Sequence, residues 1–157
     1  MADMLVRLYD LPELESTTAR MADEGIVIRR VNPWEAGALR AFCVEHFSEG
    51  WADEVTVGLA NKPVSVFIAQ DDKKVVGFAA YECTRRGFFG PTGVNEEYRR
   101  RGIGTALLLA CLHAMWEMGY GYAIIGSVGP TEYYARACGA IVIEDSAPGI
   151  FPVQRIR

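Results

Sequence analysis

A mixed α/β fold, with a central sheet of six or seven strands flanked by helices, is predicted by three features of the chain. Three short apolar runs between residues 64 and 94 are joined by tight turns, which makes an antiparallel meander. Beyond residue 94 the pattern changes to helix, strand, helix, strand, an order that sets parallel strands beside one another. At the change stands the run 94–105, Val-Asn-Glu-Glu-Tyr-Arg-Arg-Arg-Gly-Ile-Gly-Thr, where a strand ends and a long apolar helix begins.

Each element has its own signal. Residues 1–25 read as an extension on a body of residues 26–157, and with no repeat, low-complexity stretch or linker the whole of 1–157 reads as one domain. Within the extension, Asp10, Leu11, Pro12 and Glu13 fit a capping box with an early proline, and Gly25 stands where it could end that helix. Residues 26–31 are apolar and β-branched enough for a strand. Asn32, Pro33, Trp34 and Glu35 form a second capping box, opening a helix that runs to Phe47; Ser48, Glu49 and Gly50 break it, and a further helix spans 50–60 before Pro63. The meander then takes 64–70, 74–83 and Phe88–Val94, turning at Asp71, Asp72 and Lys73 and again at Arg86 and Gly87. A helix over 103–118 is followed by a strand at 123–127, a helix at Thr131–Cys138 ended by Gly139, and a strand at 140–144. The last segment, 151–156, contains Pro152 and suits an edge strand or a bulge.

Composition narrows the function classes. At 157 residues, 50% hydrophobic and 23% charged, the chain can bury a full core without disulfides or metal. A net charge of −4 and the lack of a basic stripe interleaved with aromatics argue against nucleic acid as partner. Cys43, Cys83, Cys111 and Cys138 are scattered, with no Cys-x-x-Cys pair, and read as reduced buried thiols. The N-terminus has no apolar run of signal-peptide length and no uninterrupted apolar stretch approaches 18 residues, so a cytoplasmic protein with no membrane partner is expected.

The run 94–105 carries the chemistry. Backbone N–H groups in a first helical turn lack an intrahelical acceptor, the helix dipole adds partial positive charge there, and glycine lets an anion approach the main chain. Arg99, Arg100 and Arg101 strengthen that field. Spacing rejects two common phosphate binders: the position three after Gly104 is Leu107, not the glycine of a dinucleotide fingerprint, and no Gly-Lys pair exists for a phosphate loop. What is left, Arg99-x-x-Gly102-x-Gly104, resembles motif A of the GNAT superfamily of N-acyltransferases, whose Arg/Gln-x-x-Gly-x-Gly/Ala pattern binds the pyrophosphate of coenzyme A. The likeness extends through Val94, Tyr98 and Ile103 and downstream to Tyr133 and Tyr134 before Gly139, covering roughly residues 26 to 157.

The resemblance implies a sheet opened into a V between Phe88–Val94 and 123–127, with the thioester of acetyl-CoA in the gap. It implies an N-acetyltransferase that passes an acetyl group directly to a primary amine in a ternary complex, or else an acyl-CoA-binding sensor without turnover. Coenzyme A contacts are then expected from Gly93, Val94, Arg99, Arg100, Arg101, Gly102, Ile103, Gly104 and Thr105. Ser127 would touch pantetheine or cap the next helix. The family's tyrosine, which hydrogen-bonds or protonates the departing thiolate, sits four residues before a glycine; Tyr134 lies five before Gly139, and it is favoured over Tyr133. Two helical residues in succession point about 100° apart, so only one of the pair can face the sulfur. The family often places a carboxylate on the strand before motif A, yet Phe88–Val94 contains none, leaving Glu82, Glu49, Asp53, Glu54 and His46 as distant bases. The loop from His46 to Trp51 would wall the acceptor pocket, or else Phe47 and Trp51 are simply core-facing helix ends. The expected partners are a small-molecule or peptide amine, with room for a homodimer, and no metal is expected.

Overall fold

A computed structural model of the chain describes residues 1–151 and 156. Its seven-stranded sheet comprises β1 (Met4–Arg7), β2 (Ile26–Arg30), β3 (Val66–Asp71), β4 (Lys74–Tyr81), β5 (Phe88–Val94), β6 (Tyr122–Ile125) and β7 (Ile141–Val142), in the spatial order β2-β3-β4-β5-β6-β1-β7. The helices are α1 (Glu15–Asp23), α2 (Ala36–His46), α3 (Glu49–Ala60), α4 (Ile103–Glu117) and α5 (Thr131–Cys138). β2 to β5 form the expected antiparallel meander.

The V is present. β5 and β6 run parallel but pair only at Phe88 with Ile124 and Phe89 with Ile125. Beyond that point β6 ends, while β5 continues along β4 as far as Val94 paired with Gly77. Opening costs backbone hydrogen bonds on one side of β5, so the exposed groups there need other partners.

Alternation along the strands builds a core on each face of the sheet. Ala69 of β3 and Val76, Ala79 and Tyr81 of β4 face α4, whose Ile103, Leu107, Leu108, Leu109 and Leu112 are buried. That helix is apolar nearly all round because it is covered by the sheet and by α1. Val66, Ile68, Phe78 and Ala80 face α2 and α3, against Leu39, Phe42, Cys43, Ala52 and Val55. Burial of each large aliphatic side chain contributes roughly 1.5–3 kcal/mol, so α4, with several such leucines, anchors the turn that precedes it.

Most element boundaries agree with the sequence reading; the first and last do not. Residues 4–7 are a strand, inserted between β6 and β7 and antiparallel to both. The capping box expected at Asp10 does not form: Leu8–Asp10 is a 3-10 turn, Leu8 is buried with its N–H donated to Gly121 O, and α1 begins only at Glu15 without a side-chain cap. The box at Asn32 does form, Glu35 Oε2 accepting from Asn32 N at 2.8 Å. The strand expected over 140–144 shortens to Ile141–Val142, and the one expected over 151–156 falls, apart from its end residues, outside the described residues. No described helix is long and apolar enough to cross a membrane.

Candidate functional site

The V opens onto a cleft of about 550 Å³ walled by β5, the turn into α4, α5 and the junction of α2 with α3. Its β5 wall is set by strand alternation. Asn95 N donates to Val76 O on β4 at 2.8 Å, so the N–H and C=O of Val94, one residue earlier, point the other way, into the gap. Arg99 Nε donates to that Val94 carbonyl at 3.2 Å, leaving the N–H.

After β5 the chain makes a short 3-10 turn at Glu96–Tyr98, capped by Asn95 Oδ1, and then reverses through two left-handed residues, Arg100 at φ +66° and Gly102 at φ +88°. A non-glycine residue in that region costs energy and persists only where the surroundings impose it, often at a ligand site. Here it gathers main-chain donors at the start of α4. Among the described residues, no group accepts from a backbone N–H between Arg100 and Thr105. Successive unpaired amides at the positive end of a fifteen-residue helix are the kind of donor set that suits an anion.

On the opposite wall, Tyr133 and Tyr134 meet edge to face with ring centroids 5.0 Å apart. Their hydroxyls differ. Tyr133 Oη is hydrogen-bonded to Thr105 Oγ1 at 3.1 Å, beside the α4 turn, whereas the Tyr134 hydroxyl has no hydrogen-bond partner among the described residues. Burial pushes the Tyr134 phenol up to about 12, helped by Tyr133 and Cys138; burial also raises Tyr133, partly offset by the Thr105 bond. Both phenols are protonated at neutral pH.

The far end of the cleft is aromatic. Phe47 and Trp51 lie 5.1 Å apart, and both stand against the buried Phe78 at 5.9 and 6.0 Å. Phe47 also rests flat on Gly93: a Cβ there would come within 2.7 Å of the ring's Cε1, so only glycine allows this approach. Ser48 Oγ accepts from Trp51 N at 3.1 Å and fixes the start of α3, which holds the pair in place.

The chain places most of the expected ligand residues together. Gly93, Val94, Arg99, Arg100, Gly102, Ile103, Gly104, Thr105 and Tyr134 all line the cleft. Arg101 does not; it turns toward α1, pairing with Glu24 at 3.6 Å and lying 5.4 Å over the Tyr98 ring. Ser127 is absent from the lining as well. Its N–H donates to Asp3 Oδ1 at 2.8 Å, its Oγ is buried without a hydrogen bond among the described residues, and the cap position of α5 is Pro130. None of the five distant bases reaches the cleft. Glu82 closes its own turn through Gly87 N and Tyr120 Oη, Asp53 pairs with Arg40 at 3.3 Å, and His46 stacks on Phe42 at 4.7 Å, while Glu49 and Glu54 also lie off the lining. The four thiols are buried, and burial raises Cys43 to about 12 and Cys83 and Cys138 to about 11, and pushes Cys111 well above the ordinary thiol range. They are poor nucleophiles at neutral pH.

Sequence similarity now agrees with this geometry. The model of the acetyltransferase (GNAT) family matches residues 28–140, well over half of the chain. The chain belongs to this family. Among solved structures, a fungal multi-domain GH3 beta-N-acetylglucosaminidase, described as having a GCN5-related glucosamine N-acetyltransferase region, superposes with a TM-score of 0.74 at 19% identity, covering 90% of this chain and 19% of that one. A GCN5-related N-acetyltransferase from Sphaerobacter thermophilus gives 0.71 at 22% identity, with 90% and 48% covered. A GNAT family N-acetyltransferase from Escherichia coli, solved in complex with CoA, gives 0.55 at 24% identity, with 71% and 67% covered. These likenesses show the fold. The chain spans 19% and 48% of the lengths of the first two. Comparison with curated proteins returns no match.

The residues present suit the coenzyme A that a GNAT fold implies. Unpaired amides over 100–105 and the guanidinium of Arg100 complement a pyrophosphate, and a cleft wall of Phe89, Leu108 and the tyrosine rings complements a pantetheine arm. Sequence reasoning named Tyr98 in the motif without giving it a place in the site, where it lines the cleft and its hydroxyl donates to Asp71 Oδ2 at 2.7 Å. It missed Arg20 of α1, whose guanidinium lies over Gly102 and which had no local signal.

Proposed function

We propose that the protein is an acetyl-CoA-dependent N-acetyltransferase acting on a primary amine, of a small molecule or a peptide, by direct transfer within one cleft. The observation that carries this reading is the pairing of a pyrophosphate-sized run of unpaired amides over 100–105 with an unpartnered Tyr134 hydroxyl across the same cleft. Acetyl-CoA, when bound, supplies an activated acyl group and a thiolate leaving group.

The protein's own groups do the rest. Amides from Arg100 to Thr105 hold the phosphates, so that the arm runs down the V toward Val94. Val94 N–H faces the gap and donates to the acyl oxygen, most strongly as that oxygen gains charge. Tyr134, kept protonated by burial, donates to sulfur as it leaves. Tyr133 is held on Thr105 and positions the α4 turn against α5. Phe47 and Trp51 exclude water at the acceptor end. The buried thiols take no covalent part. We assign the activity to one domain spanning residues 1–157, in the cytoplasm, where acetyl-CoA is at hand.

One observation favours a second reading. Among the described residues the cleft is lined by no Asp, Glu or His, and an alkylamine near pKa 10.4 must lose a proton before it attacks. A sensor that binds acyl-CoA without turnover needs no base. Release of free thiol from acetyl-CoA across a panel of amines separates the two. Amine-dependent release supports transfer; tight acetyl-CoA binding with no release above hydrolysis for any amine establishes the sensor.

A further inference from the structure

α1 lies outside residues 28–140, the part of the chain that matches the family, yet it reaches the phosphate-binding turn. Met21 of α1 is fully buried, and this fixes the register of the helix so that Arg20, one residue earlier, projects over Gly102. The contact is close: a Cβ built on Gly102 would lie 2.8 Å from Arg20 Nη2 and 3.5 Å from Met21 Cε. Arg20, Glu24, Arg100, Arg101 and Gly102 line one polar pocket, which shares Arg100 and Gly102 with the main cleft. The two spaces are therefore neighbours across the turn.

Charge in this pocket is unbalanced. Glu24 pairs with Arg101 at 3.6 Å, but among the described residues neither Arg20 nor Arg100 has an ion-pair or hydrogen-bond partner. Two unpaired guanidiniums, facing a helix start whose amides also lack acceptors, form a site that an anion would stabilise. Repulsion between them is otherwise relieved only by solvent and salt. Coenzyme A carries three phosphoryl groups, two in the pyrophosphate and one as a dianionic monoester on the ribose. The amides over 100–105 are enough for the pyrophosphate, and the adjoining pocket has the charge and the forked donors for a monoester.

We infer that Arg20 of α1, with Arg100 and the Glu24-held Arg101, forms a second anion subsite that takes the ribose phosphate monoester of coenzyme A. The inference rests on the coenzyme reading above, which assigns the neighbouring turn to the pyrophosphate. It gives the segment before β2 a role in cosubstrate recognition: Arg20 of α1 completes a monoester pocket that Arg100 and Arg101 of the motif turn begin.

Calorimetric titration of the full chain with coenzyme A and with 3′-dephospho-coenzyme A tests this. The wild type is expected to bind coenzyme A about tenfold or more tightly than the dephospho form, the scale of one to two charge-assisted hydrogen bonds. Arg20→Ala should bring that ratio to within about twofold by weakening coenzyme A alone, and Arg20→Lys should keep part of it, since charge survives and the fork does not. Equal affinity of the wild type for both ligands would overturn the subsite and leave the pyrophosphate site standing. Equal weakening of both ligands by Arg20→Ala would show that Arg20 serves the turn instead, which also overturns it. A wild type that binds neither ligand would bring down the coenzyme reading itself.

Discussion

The two ends of the cleft are built from different materials. At the α4 end the donors are main-chain amides, presented by a left-handed Arg100 and Gly102 and fixed by a helix whose leucines are buried in the core. At the α2–α3 end the surfaces are side-chain rings, Phe47 and Trp51, carried by a junction between two helices and resting on Phe78. Under the proposed function the first end recognises a cosubstrate that does not vary, with groups that mutation cannot remove directly. The second end meets the amine, and its shape can change with one side chain. Gly93 lies where the two meet, with the Phe47 ring on one side and Val94 on the other.

Substitutions at each end should break the cleft differently. The largest effect is expected from Gly102→Asp, which forces a Cβ onto a residue at φ +88° beneath Arg20 and puts negative charge among the amides. Coenzyme A affinity should fall by roughly a hundredfold or more while circular dichroism stays native-like; unchanged affinity by titration would move the coenzyme elsewhere. Next comes Tyr134→Phe, expected to lower kcat by roughly 10²-fold with little change in KM for acetyl-CoA. Tyr133→Phe, which loses only the Thr105 bond, should cost far less in steady-state assays, and the reverse order would exchange the roles of the two hydroxyls.

A smaller change should follow Gly93→Ala. The added methyl overlaps the Phe47 ring, which must tilt away, and denaturant unfolding should show a loss of about 1–3 kcal/mol. In a Phe47→Leu background the same alanine should cost less, and additive effects would mean that the contact is not the cause. The smallest effect is a pH dependence of stability. Tyr134 has its pKa raised from 10.0 to about 12, so folding favours the protonated form; that contribution is complete below pH 10 and is lost as pH rises through 12. Thermal melts should weaken over that window, and Tyr134→Phe should flatten the decline.

How much could be read from the residues follows the same division. Arg99, Gly102 and Gly104 announce the α4 end because a phosphate receptor made of backbone needs glycine at fixed spacing, and local spacing is what a sequence displays. The meander was legible for a similar reason, since its pairings join neighbours such as Gln70 with Val75 across a tight turn. Arg20 and β1 were not. Each gets its place from a partner far along the chain, Gly102 for one and Ile125 for the other, and four residues of Met-Leu-Val-Arg carry no mark of the strand they will join. Ser127 was expected at the cleft as the end of the strand facing the gap; the left-handed turn at φ +50° and the bond that its N–H donates to Asp3 Oδ1 draw it toward the N-terminal strand. The α2–α3 end had aromatic residues in view, but their place in the cleft wall depends on the contact of Phe47 with Gly93, more than forty residues away.

The placement of β1 sets a schedule for folding. Met4 to Arg7 cannot pair until Tyr122 to Ile125 exists, and β7 closes the sheet on β1 only after that. A ribosome would deliver the meander and α4 long before the first four-residue strand finds its slot, so an apolar segment waits unpaired through most of synthesis. The half of the sheet that meets the meander at the V is therefore the last to assemble.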